Sequence, residues 1–291
     1  MAFSKISEIL GICKDRKIPF WRVIIEDDMR ERRVKIEESF SQMEKMFDAM
    51  LEADKSYSPS LRSQSGLSGG QGALLENFRK QENRLIGNFL AKVMEKAVKM
   101  GESNACMRRI VAAPTAGSCG VIPAVLITYY EEKKCPKEKI LEALFVSAGI
   151  GQVIASTASI SGAEGGCQAE IGSASSMAAG AITYLEGGDE ERIAHASALA
   201  MKNMLGLTCD PVAGLVEVPC VKRNVSGAVN AIISCQMAMA GLKSAIPADE
   251  VFESMGRIGS LLPQCLRETS QEGLALTSTA LAVTEKLKKQ V

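Results

Sequence analysis

The sequence predicts an all-α protein, a single multi-helix domain whose helices are interrupted by Gly-rich loops. Three observations carry that prediction. Apolar residues return every three or four positions along most of the chain, the spacing of one helix face. No stretch alternates apolar and polar residues over the length of a strand. Only 4% of residues are aromatic although 46% are hydrophobic, so small side chains must fill the core and let helices approach closely.

From Phe3 to about Glu52 the apolar positions Ile6, Ile9, Leu10 and Cys13, then Val34, Ile36, Phe40, Met43 and Phe47, mark amphipathic helix, with a break near Pro19. Ser56 to Gly72, SYSPSLRSQSGLSGGQG, reads as a long loop rich in turn-forming residues. Helical spacing returns from Ala73 to Met100 through Leu74, Leu75, Phe78, Leu85, Phe89, Val93 and Ala97, and a second loop, APTAGSCG, follows at 113–120. Two apolar stretches, VIPAVLITYY and ILEALFVSAGIGQVIASTASI, flank a charged connection, and the second is too long and too rich in Ala and Leu for a strand. The loop SISGAEGGCQAE leads into an Ala- and Ser-rich stretch to Leu185 and a break at Gly187 and Gly188. A helix from Asp189 to about Leu205 starts with acidic residues that suit its positive end and stops at Gly206. After the turn-rich CDPVAGLVEVPC, helices are expected from about Asn224 to Ala245, Asp249 to Leu262 and Leu274 to Lys289. No linker divides the 291 residues, which are read as one domain: an N-terminal helical segment, 1–55, and a loop-and-helix core, 56–291.

Composition excludes several function classes. The 34 basic residues balance 34 acidic ones, so the chain lacks the positive excess that nucleic-acid binding needs, and it is too apolar for disorder. The N-terminus has no secretion-signal pattern. The uncharged stretch from Ala143 to Ala163 is long enough to span a bilayer, but its Gln152 and its Ser, Thr and Gly residues favour a helix buried in protein. Nine cysteines, an odd number with no Cys-x-x-Cys pair, indicate reduced thiols in a cytoplasmic setting.

Four Gly-rich loops stand between the helices, and three of them carry cysteines: Cys119 in the second, Cys167 in the third, Cys209 and Cys220 in the fourth. Glycine lets a backbone approach a metal group and direct N–H groups at its sulfurs, although each cysteine alone is also a small core residue. The first loop fits no strand-turn-helix unit, which removes a dinucleotide fingerprint. His195, the one histidine, lies in a helical run and reads as a packing or surface residue, so a base would be Lys, a carboxylate, a hydroxyl or a group from another chain.

Taken together, SGLSGG, APTAGSCG, SGAEGGCQAEIGSA, LGLTCDPVAGLVEVPCVKRN and RETSQEGLA resemble the iron-sulfur-dependent L-serine dehydratases, in particular the α chain of the two-chain bacterial form. The resemblance implies an all-helical, oxygen-sensitive, cytoplasmic lyase of amino-acid degradation and gluconeogenesis that converts L-serine to pyruvate and ammonia. It implies a 4Fe-4S cluster on Cys167, Cys209 and Cys220, one iron being left open as a Lewis acid, and no pyridoxal phosphate. Candidate holders of the substrate carboxylate are Ser65, Gly66, Ser68 and Gly69 in the first loop and Thr115, Gly117 and Ser118 in the second. Arg223 and Asn224 orient the site or cap a helix, and Cys119 is a bystander. The regulatory-type N-terminal domain of single-chain members is not seen here, nor is a cysteine near the C-terminus, so a separate β subunit in a hetero-oligomer is expected. The same reading expects no nucleic-acid or membrane partner.

Three other readings remain open at this point. A pyridoxal-phosphate dehydratase would need an α/β pattern and a lysine motif, and neither is found. A cluster-dependent L-cysteine desulfidase-like lyase would keep the cluster and change the substrate. An electron-transfer or sensor protein would want a fourth thiolate from Cys106, Cys119 or Cys235.

Overall fold

A computed structural model describes residues 3–81 and 85–289. The described residues form thirteen α-helices joined by short helical turns, and their extended pairing is one bridge between Cys209 and Arg267. The all-α expectation holds. α1 (Ile6–Arg16), α2 (Phe20–Arg32) and α3 (Ile36–Lys55) take up the N-terminal periodicity, with the break at Pro19 as expected. α4 (Gln71–Arg79), α5 (Asn88–Ala105), α6 (Val121–Lys133) and α7 (Lys137–Thr157) follow, then the single turn α8 (Gly162–Gly165). α9 (Ser173–Leu185), α10 (Glu190–Lys202), α11 (Cys220–Met239), α12 (Ala248–Leu261) and α13 (Ser278–Lys288) complete the set.

The core centres on α9, which packs against α6, α7, α10 and α11. Its residues from Ser173 to Thr183 are all buried, and their small size is what admits four neighbours. A Cβ at Gly180 would stand 2.2 Å from Ile150 Cδ1 on α7, so any larger residue would force the Ile150 side chain to shift. Two of the hydroxyls on this helix bond main-chain carbonyls of neighbouring helices: Ser175 Oγ donates to Gly227 O at 2.8 Å and Ser176 Oγ to Ser197 O at 2.7 Å. One continuous hydrophobic core runs from Ile6 in α1 to Met255 in α12. α7 is long and apolar enough to cross a membrane, but 67% of its apolar window is buried among the other helices.

Five expected boundaries differ. The helix expected over 73–100 is two helices, because α4 ends at Arg79 and α5 begins at Asn88; Leu85 is fully exposed and belongs to no core face, and residues 82–84 lie outside the described part. Helix also begins earlier than the first Gly-rich loop predicts, at Gln71. The third loop is largely helical: α8 is followed by a π-helical turn, Gln168–Gly172, that runs into α9. α11 starts at Cys220 rather than near Asn224, with Pro219 just ahead of the first turn where a missing N–H costs nothing, and it ends at Met239. α13 starts at Ser278, where Thr277 Oγ1 accepts from Ala280 N at 3.4 Å.

Candidate metal and substrate site

The third and fourth Gly-rich loops meet at two sulfurs and a carboxylate. Cys167 precedes the π-helical turn, and Glu170, three residues on, shares its face of that turn. Cys209 Sγ completes the group; the ligand atoms of Cys167, Glu170 and Cys209 all lie within 4.8 Å of one another. Cys209 is fixed by the C-terminal RETSQEGLA segment: its N–H donates to Leu266 O at 2.8 Å, and its carbonyl accepts from Glu268 N at 2.7 Å. Cys220 is buried in the first turn of α11, near enough for the charges of Cys167 and Glu170 to bear on its thiol.

Electrostatics separate the three thiols. A hydrogen bond from Cys209, with the Arg223 guanidinium alongside, pulls the Cys167 thiol below its ordinary range despite burial. The same hydrogen bond, together with burial, pushes Cys209 up. Burial pushes Cys220 up to about 12. Arg223 is held by Thr208 O at 2.7 Å and by Asp210 Oδ1 at 3.1 Å. Burial raises the Glu170 carboxyl and Glu268 adds to it, against the Thr115 hydroxyl, which donates to Glu170 Oε1 at 2.7 Å.

The second loop closes over this group. Thr115 Oγ1 and Ser118 Oγ lie 3.0 Å apart, and a Cβ at Gly117 would sit 2.9 Å from Glu170 Oε1. Asn224 ties the loop to α11: its Nδ2 donates to Gly117 O and Cys220 O, and its Oδ1 accepts from Gly120 N at 2.8 Å. Asn224 thus orients the loop from within the helix. Cys119 is buried with Sγ 3.8 Å from Met100 O, a packing position.

The first loop is anchored on two buried carboxylates. Ser65 Oγ donates to Glu217 at 2.6 Å, as does Ser63 Oγ, and the N–H of Gly69 donates to Glu102 at 3.0 Å. Gly66 turns the chain at φ 77°, with its N–H on Ser63 O. Ser68 Oγ is buried without a hydrogen-bond partner. The sequence reading missed Glu102, Glu170, Glu217 and Glu268. Only Glu170 had a local signal, its spacing from Cys167; Glu217 meets serines more than 150 residues away in sequence.

A family profile described as serine dehydratase alpha chain matches residues 15–275. A probable L-serine dehydratase alpha chain of Bacillus subtilis is 45% identical over 285 residues, 98% of this chain and 95% of that one. The chain belongs to the serine dehydratase alpha-chain family. Its similarity extends to the L-serine dehydratase alpha chain of Peptoniphilus asaccharolyticus, 40% identical over 94% of each chain. An L-serine dehydratase of Escherichia coli is 45% identical over 182 residues, which are 62% of this chain and 40% of that longer protein. The donor set of this family member suits a metal group: soft sulfur donors, a carboxylate, and a guanidinium to offset thiolate charge. Room is kept for it by Gly162, where a Cβ would sit 2.8 Å from Glu170 Oε2 and 3.1 Å from Cys209 Sγ. Among the described residues, two cysteines, Cys167 and Cys209, belong to this close group with Glu170, and Cys220 lies outside it.

Proposed function

We propose that this chain is the catalytic α subunit of a cytoplasmic L-serine dehydratase that converts L-serine to pyruvate and ammonia in amino-acid degradation and gluconeogenesis. The observation that carries the reading is the meeting of Cys167, Cys209 and Glu170 under the Thr115 loop, in a chain of this family. Cys167, Cys209 and Cys220 hold a 4Fe-4S cluster, with pyridoxal phosphate absent from the chemistry. When bound, the cluster supplies a Lewis-acidic iron without a protein ligand, which makes the serine hydroxyl a better leaving group.

The chain's own residues bind and orient the substrate. The loops that would hold its carboxylate carry Ser65, Gly66, Ser68, Gly69, Thr115, Gly117 and Ser118, of which the Ser65 hydroxyl and the Gly66 and Gly69 N–H groups are already bonded to Glu217, Ser63 O and Glu102 and so shape the loop. Within that set Ser68 Oγ brings a buried donor that the protein leaves unpaired, and Thr115 and Ser118 bring a hydroxyl pair beside Glu170. Loss of the α-proton and of the β-hydroxyl yields 2-aminoacrylate and water; tautomerisation and hydrolysis then return the water and release ammonia. His195 is half-buried on α10, and no described hydrogen bond joins it to these loops. The proton acceptor is therefore sought among the carboxylates beside the cysteines or in a β subunit, which the alpha-chain naming of the relatives supports.

The test is anaerobic purification with assay of iron and acid-labile sulfide per chain, visible spectra before and after L-serine, and ammonia release from serine, threonine and cysteine. Bound iron, a serine-dependent spectral change and a preference for serine are expected, with activity falling on exposure to air. Protein that stays iron-free after anaerobic reconstitution, or that prefers cysteine, overturns the reading.

A further inference from the structure

Glu102 is a fully buried carboxylate in the last turns of α5, and its charge has no cationic partner among its described hydrogen bonds. Its four bonds come instead from the first Gly-rich loop and the helix that follows. Oε1 accepts from the N–H groups of Gly69 at 3.0 Å and Gln71 at 2.8 Å. Oε2 accepts from Gly72 N at 3.0 Å and from the Tyr57 hydroxyl at 2.7 Å. Three of these donors are main-chain amides at the start of α4, where a helix leaves N–H groups without internal acceptors and favours negative charge. A segment built to receive an external carboxylate has thus received an internal one.

The consequence falls on Ser68, the residue before Gly69. Its N–H donates to Ser63 Oγ at 3.2 Å and its carbonyl accepts from Ser63 N at 3.0 Å, while Ser63 Oγ is itself tied to Glu217. Glu102 fixes the chain immediately beyond. Ser68 Oγ is left as the buried hydroxyl of this loop without a partner. Two residues after Glu102, Asn104 Nδ2 donates to Ala116 O at 3.2 Å in the second loop, so one turn of α5 sets the register of both.

We propose that Glu102 is a positioning residue for substrate binding: it occupies the amide donors of the first loop so that L-serine meets the Ser68 hydroxyl in a fixed place. The inference rests on the reading of this site as an L-serine dehydratase. It explains why an acid stands here. Four donors converge on two oxygens, and a glutamine would turn an NH2 group against one pair of them. An aspartate, one methylene shorter, cannot span from α5 to both pairs.

The experiment uses the anaerobically purified, iron-loaded enzyme with whatever β subunit it requires, as wild type and as Glu102→Gln and Tyr57→Phe. Steady-state kinetics, iron per chain and amide hydrogen exchange over residues 61–75 are measured together. Glu102→Gln is expected to raise KM for L-serine about tenfold or more with kcat within about threefold, because it loosens substrate binding and leaves the bond-breaking step alone. Iron content stays unchanged and exchange at Gly69, Gln71 and Gly72 speeds up. Tyr57→Phe, which removes one hydrogen bond and no charge, is expected to shift KM the same way by about threefold and keeps the test valid should Glu102→Gln fail to fold. An active wild type with unchanged KM in the variants, or a fall in kcat alone, overturns the assignment of Glu102. A wild type that binds iron but does not deaminate L-serine overturns instead the functional reading beneath it.

Discussion

A methyl group added at Gly162 would meet Glu170 Oε2 at 2.8 Å, Cys209 Sγ at 3.1 Å and Glu268 Oε2 at 3.1 Å. Two of these atoms, Glu170 Oε2 and Cys209 Sγ, are ligand atoms of the cysteine group, so making room for the methyl displaces that group. Gly162→Ala is therefore expected to lower iron per chain and activity together while far-UV circular dichroism keeps its helical signal. Retention of full iron loading would show that the glycine is there for the chain turn alone. Arg223 sets a second limit. Its guanidinium bridges Thr208 O and Asp210 Oδ1, and Asp210 Oδ2 accepts from Leu274 N at 2.9 Å. Arg223→Met leaves a buried carboxylate with its main-chain donor alone, an expected loss of about 2 kcal/mol in urea unfolding of the metal-free protein. Iron binding should weaken too, since the cation that lowers the Cys167 thiol is lost.

Helix ends show how far local sequence carries. Asp189 is the N-cap of α10 and its Oδ1 accepts from Arg192 N at 2.9 Å; Asp189→Ala is expected to cost about 1 kcal/mol, read from the urea midpoint. That start was legible because a cap acts on its own first turn. The same holds for the break at Pro19 and for the small residues of α9, whose packing follows from size. The gap between α4 and α5 was not legible, since Leu85 continues the apolar spacing yet faces solvent. Cys220 was read into a loop because Pro219 and the glycines before it signal turns, whereas a proline directly ahead of a helix is compatible with its start. For the candidate site, the Gly-rich loops and their cysteines stood out by composition. Glu102 and Glu217 did not, because what makes a buried carboxylate meaningful is the set of donors that folding brings from elsewhere in the chain.

Across the molecule, charge is balanced in total but not in its response to acid. The hydrogen bond from Lys99, and then that from Lys80, hold the Glu76 carboxyl at about 2 against a usual 4.5, and the Lys99 bond ties α4 to α5. Lysine pairing lowers Glu132, through Lys92, and arginine pairing lowers Glu26, through Arg16. A carboxyl lowered on folding stabilises the native state fully above its unfolded value and loses that contribution as pH falls through its folded one. The stability of the metal-free protein should therefore decline from about pH 4.5 towards pH 2. Glu76→Gln should reduce the difference between urea midpoints at pH 6 and pH 3, by less than about 1 kcal/mol because its side chain is about one-third exposed and screened by solvent. An unchanged difference would mean that Glu76 is as free in the native protein as in the unfolded chain.

The clamp on Cys209 also sets an order of events during synthesis. The main-chain atoms that fix this cysteine belong to Leu266 and Glu268, about a hundred residues beyond Cys167. At a translation rate of roughly 5–20 residues per second, Cys167 waits about 5–20 s outside the ribosome before the segment that seats its neighbour has been made. Throughout that interval its thiol lacks the burial that encloses it in the finished fold, open to oxidants and to adventitious metals. On the proposed function, iron delivery to this site is a task for the completed chain, and slow translation in air should raise the fraction of subunits that never acquire it.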